Sequence, residues 1–521
     1  MDDAFEPGIA HSPPAAVISA VPAPGADVAA VSAATDTNPD APADVHRHMA
    51  RLFGRDSVYL VLWALQLGLA AVVTPIATRL LGTTAFGGVV AANAVMQVLF
   101  VVVCLGLSTG IEKRIFEPDG LNKARRLMTL SIELAVLCTA VAYATGPYWA
   151  RSFGFDGFTP ALRYAVLWAG ISGVTACGLG MLRAQDRLLP FGIVSLVQSV
   201  VAEALSLALV TWSAATADRF VLGQLIAQVV ATVWVLAAVR PAWVRRVDVG
   251  FALATLAFTI PLVPAMLSSF ALTSANRLVI QKQLGEVQVA RYQIAYNIGS
   301  IPILLLSLLN GAWMPRFFSL ASARDRSALV AAARDALYRL LVPVILGLSL
   351  GAPLVLRVWA PGSYQPDRLM IVLFFTVVST IPFAAGLSAT RALLMSGHSG
   401  TIAVSSVLAA AVNIGLNVVL VDDFGLSGAA FASLVAYTVL YVLLEIRAHH
   451  ALPTPRTTLP IMVALVASSV ICWGLSLLPP TAWVLAVRGA GATACAAWFL
   501  VSARRLSRSG SHVADPAGAQ P

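Results

Sequence analysis

The residues whose chemistry most needs explaining are acids and guanidinium groups set inside apolar sequence. Glu203 stands in the middle of the apolar run 190–212, and Glu133 near one end of the run 127–146. Arg277 closes the run 251–275, and Arg291 sits at the entry to the run 288–314. A charge near mid-bilayer costs roughly 2.5–3.5 kcal/mol on insertion scales, so such groups turn toward a cavity or a partner. Arginine carries a permanent cation with planar donors that match phosphate oxygens, which makes Arg277 and Arg291 candidates for holding phosphate. Snorkelling to the nearer interface is the alternative for both. Glu203 has three open readings: a pair with an arginine, a proton exchanged during a working cycle, or a neutral acid hydrogen-bonded in place. Glu133 suits an ion pair near the membrane surface.

Amides form the second group. Gln66, Asn93, Gln97, Asn276 and Asn297, with Gln293 and Asn310, lie within or beside apolar runs. Asn93 and Gln97 are four apart and share a helix face, as do Gln293 and Asn297. Such side chains either hydrogen-bond between helices or line a polar path. Nothing points to covalent chemistry or to a cofactor. There is no GxxxxGK[ST] phosphate loop, and no exported Ser/His/Asp grouping. The five cysteines all fall in apolar runs without a CxxC, and the histidines lie in tails and loops without metal-ligand spacing.

The elements that must position these groups are membrane helices. Of 521 residues, 58% are hydrophobic and only 11% charged, whereas a soluble chain carries about a quarter charged residues. Fourteen apolar spans follow one another from 57–80 to 481–502, most near the ~20 residues a bilayer core requires. The fold class is all-α polytopic. The net charge of +9 has a topological account, since Lys and Arg gather in alternate loops (Lys113, Arg114, Lys123, Arg125, Arg126, Arg183, Arg187, Arg240). The positive-inside rule then places both termini in the cytoplasm. No basic-aromatic stripe of the kind that binds nucleic acid is present.

Residues 1–50 form an Ala/Pro-rich tail whose first 46 residues hold acids and no Lys or Arg, a composition expected to be disordered. The halves that follow are related. Thr78-Arg79-Leu80-Leu81-Gly82 leads to Asn93, and Ala275-Asn276-Arg277-Leu278 leads through Leu284-Gly285 to Asn297. Residues 183–210 and 394–421 also match in length and texture. We therefore expect six-helix repeats over 51–246 and 247–450, two further helices over 451–503 and a cytoplasmic tail over 504–521. Six is even, so both repeats enter the membrane alike.

The runs TPIATRLLGTTAFG (Thr74 to Gly87), GLSTGIEKRIFE (Gly106 to Glu117) and MLRAQDRLLPFGIVS (from Met181) carry a family resemblance. So do IPLVPAMLSSFALTSANRLVIQKQLG (Ile260 to Gly285), LLNGAWMPRFF (Leu308 to Phe318) and FGLSGAAFASLVAY (Phe424 to Tyr437). In this order and spacing the chain resembles the polysaccharide, or O-antigen and exopolysaccharide, flippases of the multidrug/oligosaccharidyl-lipid/polysaccharide exporter superfamily. The resemblance implies two six-helix lobes in a V, with helices one, two, seven and eight lining a central cavity. Many relatives carry Asp in the seventh-helix motif where this chain has Ala275-Asn276-Arg277, a departure that weakens any inference of ion coupling there.

The resemblance further implies a bacterial inner-membrane flippase for undecaprenyl-pyrophosphate-linked oligosaccharide, working by alternating access beside membrane lipids and polysaccharide polymerase machinery. The pyrophosphate would fall to Arg277 and Arg291, and the sugars to the amides. Rival expectations are a multidrug cation antiporter, a lipid II flippase and, further off, a membrane glycan polymerase. The antiporter would need about twelve helices and carboxylates in its cavity. The polymerase would need a long exported loop, whereas about Gly146 to Ala161 offers only Arg151 and Asp156.

Overall fold

The computed structural model describes residues 42–242, 249–307, 323–478 and 481–512. The described residues are helical and contain no strand. The chain divides into two compact units, one formed by Met1–Phe270 with Gly285–Val289, the other by Ala271–Leu284 with Ala290–Pro521.

The first unit holds α1 (Pro42–Cys104), α2 (Leu107–Arg114), α3 (Gly120–Ala144), α4 (Gly146–Ser152), α5 (Pro160–Ala184), α6 (Leu188–Leu196), α7 (Ala202–Trp212), α8 (Ala217–Val239) and α9 (Val249–Thr259). Its centre is α5, which packs on α1, α2, α3 and α8. Proline at the first helical position and the Thr159 hydroxyl, which accepts from Leu162 N at 3.4 Å, start this helix. Small residues let its neighbours close in. A Cβ on Gly170 would stand 2.0 Å from Thr139 of α3, one on Gly173 2.7 Å from Val103 of α1, and one on Gly178 2.7 Å from Val235 of α8. Polar ties sit at one end of this unit: Glu117 takes Arg114 at 2.8 Å and Lys123 at 3.0 Å, and Glu112 faces Arg183 at 3.7 Å.

Helix α10 (Val263–Leu284) starts in the first unit and ends in the second, and α11 (Glu286–Gly299) does the same. The second unit continues with α12 (Ala323–Trp359), α13 (Met370–Val378), α14 (Thr380–Met395), α15 (Ser399–Ala451), α16 (Leu459–Leu477) and α17 (Ala482–His512). Here α12 is the organising helix, packed on α14, α16 and α17, while α15 packs on α13 and α14.

Eleven helical segments among the described residues are long and apolar enough to cross a membrane, against fourteen expected spans. The protein is a multi-span membrane protein. Part of the difference is that paired spans merge. Helix α1 kinks at Gly82 (φ 70°, ψ −177°), between spans 57–80 and 85–109. Helix α15 kinks at Gly425 (φ 58°, ψ −137°), between spans 401–421 and 426–446. Glycine alone takes such angles cheaply. Beyond that kink Gly428 lies so close to Leu420 that a Cβ would be 2.1 Å from its carbonyl oxygen. Span 288–314 runs out of the described residues after 307, and Asn310 with the whole of LLNGAWMPRFF lies outside them.

Two boundaries differ for physical reasons. Span 85–109 breaks after Cys104, where Leu105 (φ 45°) and Gly106 (φ 69°) are left-handed. Helix α12 starts fourteen residues before the expected 337, because its first turns are helical but charged (Arg324, Asp325, Arg326, Arg334, Asp335) and escape an apolarity criterion. Arg334 also anchors that stretch, donating to the Pro455 carbonyl at 2.6 Å. Outward faces such as Val136, Leu137 and Val141 of α3, or Val463, Val466 and Val470 of α16, are exposed and apolar, as lipid contact requires.

Candidate functional site

The second unit holds a buried nest of polar residues. Asn276 is 1% exposed, and its Nδ2 donates to the Tyr292 hydroxyl at 2.8 Å and to Ser433 Oγ at 2.7 Å. Its Oδ1 accepts from Asn417 Nδ2 at 3.0 Å, and Asn417 also contacts Asn413 Oδ1 at 3.3 Å. One helical position on, Arg277 is 3% exposed. Its Nε donates to Gln293 Oε1 and its Nη1 to the Thr273 carbonyl at 2.8 Å. The guanidinium lies 4.7 Å from the centre of the Tyr296 ring, a cation–π arrangement, and Tyr292 stacks on Tyr296 at 5.9 Å. Gln293 Nε2 donates to Asn297 Oδ1 at 2.6 Å, the pairing that four-residue spacing expects.

This nest is rich in donors. Arg277 Nη2, Asn297 Nδ2, Asn413 Nδ2 and the Tyr296 hydroxyl are buried without a hydrogen-bond partner, against one unpartnered acceptor in the nest, Asn417 Oδ1. No ion pair involving Arg277 occurs among the described residues. A buried unsatisfied donor costs about 1–3 kcal/mol, so four in one place are suited to a ligand that brings acceptors. Asn413, Asn417, Ser433, Tyr292 and Tyr296 were not singled out from sequence. Asn413 and Asn417 are four apart within an apolar span and could have been found by the rule that found Asn93 and Gln97.

The other sequence candidates are placed differently. Arg291 is two residues from Gln293, so it leaves α11 on another face. It donates to the Ser363 carbonyl at 3.4 Å and shares no hydrogen-bond partner with Arg277. Asn93 is 8% exposed with Oδ1 unpartnered, and Gln97, one turn along α1, is half-buried. The side chain of Gln66 lies outside those described. Glu133 is exposed on α3 and joins no ion pair among the described residues. Glu203 is 4% exposed in the first unit.

Arg488, inside the last apolar span, is enclosed by backbone. It is 3% exposed, and donates to the carbonyls of Ser349 at 2.8 Å, Leu475 at 3.0 Å and Leu350 at 3.3 Å. In the first unit, Asp218 and Glu286 line a cavity of about 130 Å³ with Gly88 and Thr159. Burial pushes the Glu286 carboxyl above its usual range, and nearby Asp156 adds to it. Among the described residues no three His, Cys, Asp or Glu side chains gather as a metal site needs.

An all-helical chain of membrane-crossing segments in two units, with a buried polar nest, has the build of a membrane transporter. A model of the polysaccharide biosynthesis protein family matches residues 54–321, about half the chain. The chain belongs to that family. It is similar in fold to the lipid II flippase MurJ in an inward closed conformation, at 11% identity and a TM-score of 0.67, covering 87% of this chain and 99% of that one. It is also similar to an inward-facing multidrug resistance MATE family transporter of the MOP superfamily, at 15% identity and a TM-score of 0.53, covering 78% and 98%. At such identities these likenesses concern the fold. No curated protein matches the chain.

Proposed function

We propose that the protein is a flippase that carries undecaprenyl-pyrophosphate-linked oligosaccharide repeat units from the cytoplasmic to the periplasmic leaflet of the bacterial inner membrane. One observation carries this reading: a buried nest with surplus donors and a resident arginine, and with no ion pair to that arginine. A cation antiporter needs acids where its substrate sits, whereas pyrophosphate and sugar hydroxyls bring acceptors. Family membership supports the glycan pathway. Each glycan hydroxyl would cost several kcal/mol in hydrocarbon without a partner, and Arg277, Asn276, Asn297 and the tyrosines are the partners we assign. Arg291, Asn93, Gln97 and Gln66 serve as further ligand contacts in this reading. Both termini are cytoplasmic, and no covalent step is needed.

Deleting the gene in its native cell tests the reading. Loss of one surface polymer, with its lipid-linked repeat unit stranded on the cytoplasmic face, is the expected result. Stranded peptidoglycan precursor would assign a lipid II cargo instead. Intact glycans with raised intracellular cationic dye would refute the proposal in favour of an antiporter.

A further inference from the structure

The nest lies in the second unit, but the first unit holds the most buried acid among the described residues, Glu203. Glu203 is the second residue of α7, which directly follows a single π-helical turn at Val197–Val201. That turn has a geometric consequence. At 100° per residue, Gln198 and Glu203 would stand about 140° apart around an α-helix. A π turn takes in one extra residue, which brings Glu203 round toward the side that Ala202 would otherwise occupy. Both side chains then meet α8. Gln198 Nε2 donates to Gln228 Oε1 at 3.0 Å, and Glu203 faces Gln224. Gln224 and Gln228 are four apart on one face of α8.

From Gln228 the polar chain continues to α5, through Thr175 Oγ1 at 2.8 Å and on to Thr232 Oγ1 at 2.6 Å. The helices are tight here, since a Cβ on Gly223 would be 2.5 Å from Ser206 Cα. The Glu203 end of this row is incomplete. Glu203 Oε2 and Gln224 Nε2 are both buried without a hydrogen-bond partner. The charged residues on the packed helices are few. Helix α8 carries Asp218 and Arg219 in its first turn, α6 carries none, and α1 from Val72 onward carries only Arg79. No ion pair reaches Glu203 among the described residues. A carboxylate in this place would be uncompensated, so the packing shown suits the neutral acid.

We propose that Glu203 and Gln224 form an exchangeable-proton site in the first unit, through which a proton gradient drives transport. The step is a simple one. The Glu203 O–H bond breaks, the proton passes to water, and the carboxylate left behind takes the free Gln224 N–H as its donor. Uptake of a proton reverses it. The coupling half of the proposal rests on the transport reading above, and the proton-exchange half does not.

The test uses full-length protein in lipid vesicles. Infrared difference spectra between acidic and alkaline buffer should contain the C=O stretch of a buried carboxylic acid, and Glu203→Gln should lack it. Gln224→Leu removes the donor that receives the carboxylate. It should keep the band and shift its titration to higher pH, which a merely structural role for Gln224 would not do. An imposed proton gradient should accelerate movement of lipid-linked oligosaccharide in wild type and leave Glu203→Gln unaffected. Identical difference spectra for wild type and Glu203→Gln would overturn the site. Equal acceleration of both proteins by the gradient would overturn the coupling. A titrating band in a protein that moves no glycan would contradict the transport reading while leaving the proton site standing.

Discussion

Arg488→Leu should loosen the last two helices from α12 and lower the stability of the second unit by on the order of 3 kcal/mol. The reason lies in α12. Pro353 has no N–H, so the Ser349 carbonyl four residues earlier loses its helical donor. Arg488 of α17 supplies the replacement at 2.8 Å. Its Nη1 meets the Leu475 carbonyl in the last turn of α16, which otherwise has only the Leu478 N–H at 3.4 Å. One guanidinium thus completes the defect left by Pro353 and joins α12, α16 and α17.

Replacing a buried charge by an apolar isostere is often neutral when both partners go. Here the acceptors are backbone and stay behind, so the orphan penalty wins. Lysine should rescue only in part, because one ammonium lacks the planar fork that spans three carbonyls. Packing can be read directly through Cys495, whose Cβ would lie 3.1 Å from a Cβ on Gly347. Gly347→Cys should therefore form a disulfide with Cys495 under mild oxidation in the wild-type background. With Arg488→Leu the cross-link yield should fall and the melting temperature drop. Unchanged yield and melting temperature would show that the carbonyl cage contributes nothing.

Arg277→Gln should reduce flipping of pyrophosphate-linked cargo at least about tenfold, since a charge-assisted hydrogen bond contributes roughly 1.5–3 kcal/mol. Arg277 is held by Gln293, the Thr273 carbonyl and the Tyr296 ring, with Nη2 left free. A fixed cation with one free donor is preorganised for an anionic ligand. Gln293→Leu gives the control. It removes the fixing contact and keeps the cation, so it should weaken flipping less than Arg277→Gln while altering stability comparably. If the two variants lost transport equally, Arg277 would be acting through packing alone.

Much of this was legible in the sequence. The apolar spans predicted helices, and the breaks between paired spans fell at glycines the structure bends, Gly82 and Gly425. Spacing of four also found the Gln293–Asn297 pair. What stayed hidden were contacts that no local spacing encodes. Ser433 and Asn417 meet Asn276 across 157 and 141 residues. The partners of Arg488 are carbonyls, which carry no residue label, although Pro353 standing four after Ser349 marked one of them. The π turn before Glu203 shifted the helix face by one residue and brought Gln224 and Gln228 into play, where a uniform helical period would have missed them.

The most direct measurement of the central claim is leaflet exchange by the purified full-length protein in vesicles. Fluorescent undecaprenyl-pyrophosphate oligosaccharide would be loaded in both leaflets, and a membrane-impermeant glycosidase added outside. With the protein present, digestion should proceed past the outer-leaflet share to near completion, and Arg277→Gln should slow that second phase. Digestion that stops at the outer-leaflet share, with or without the protein, would contradict the account.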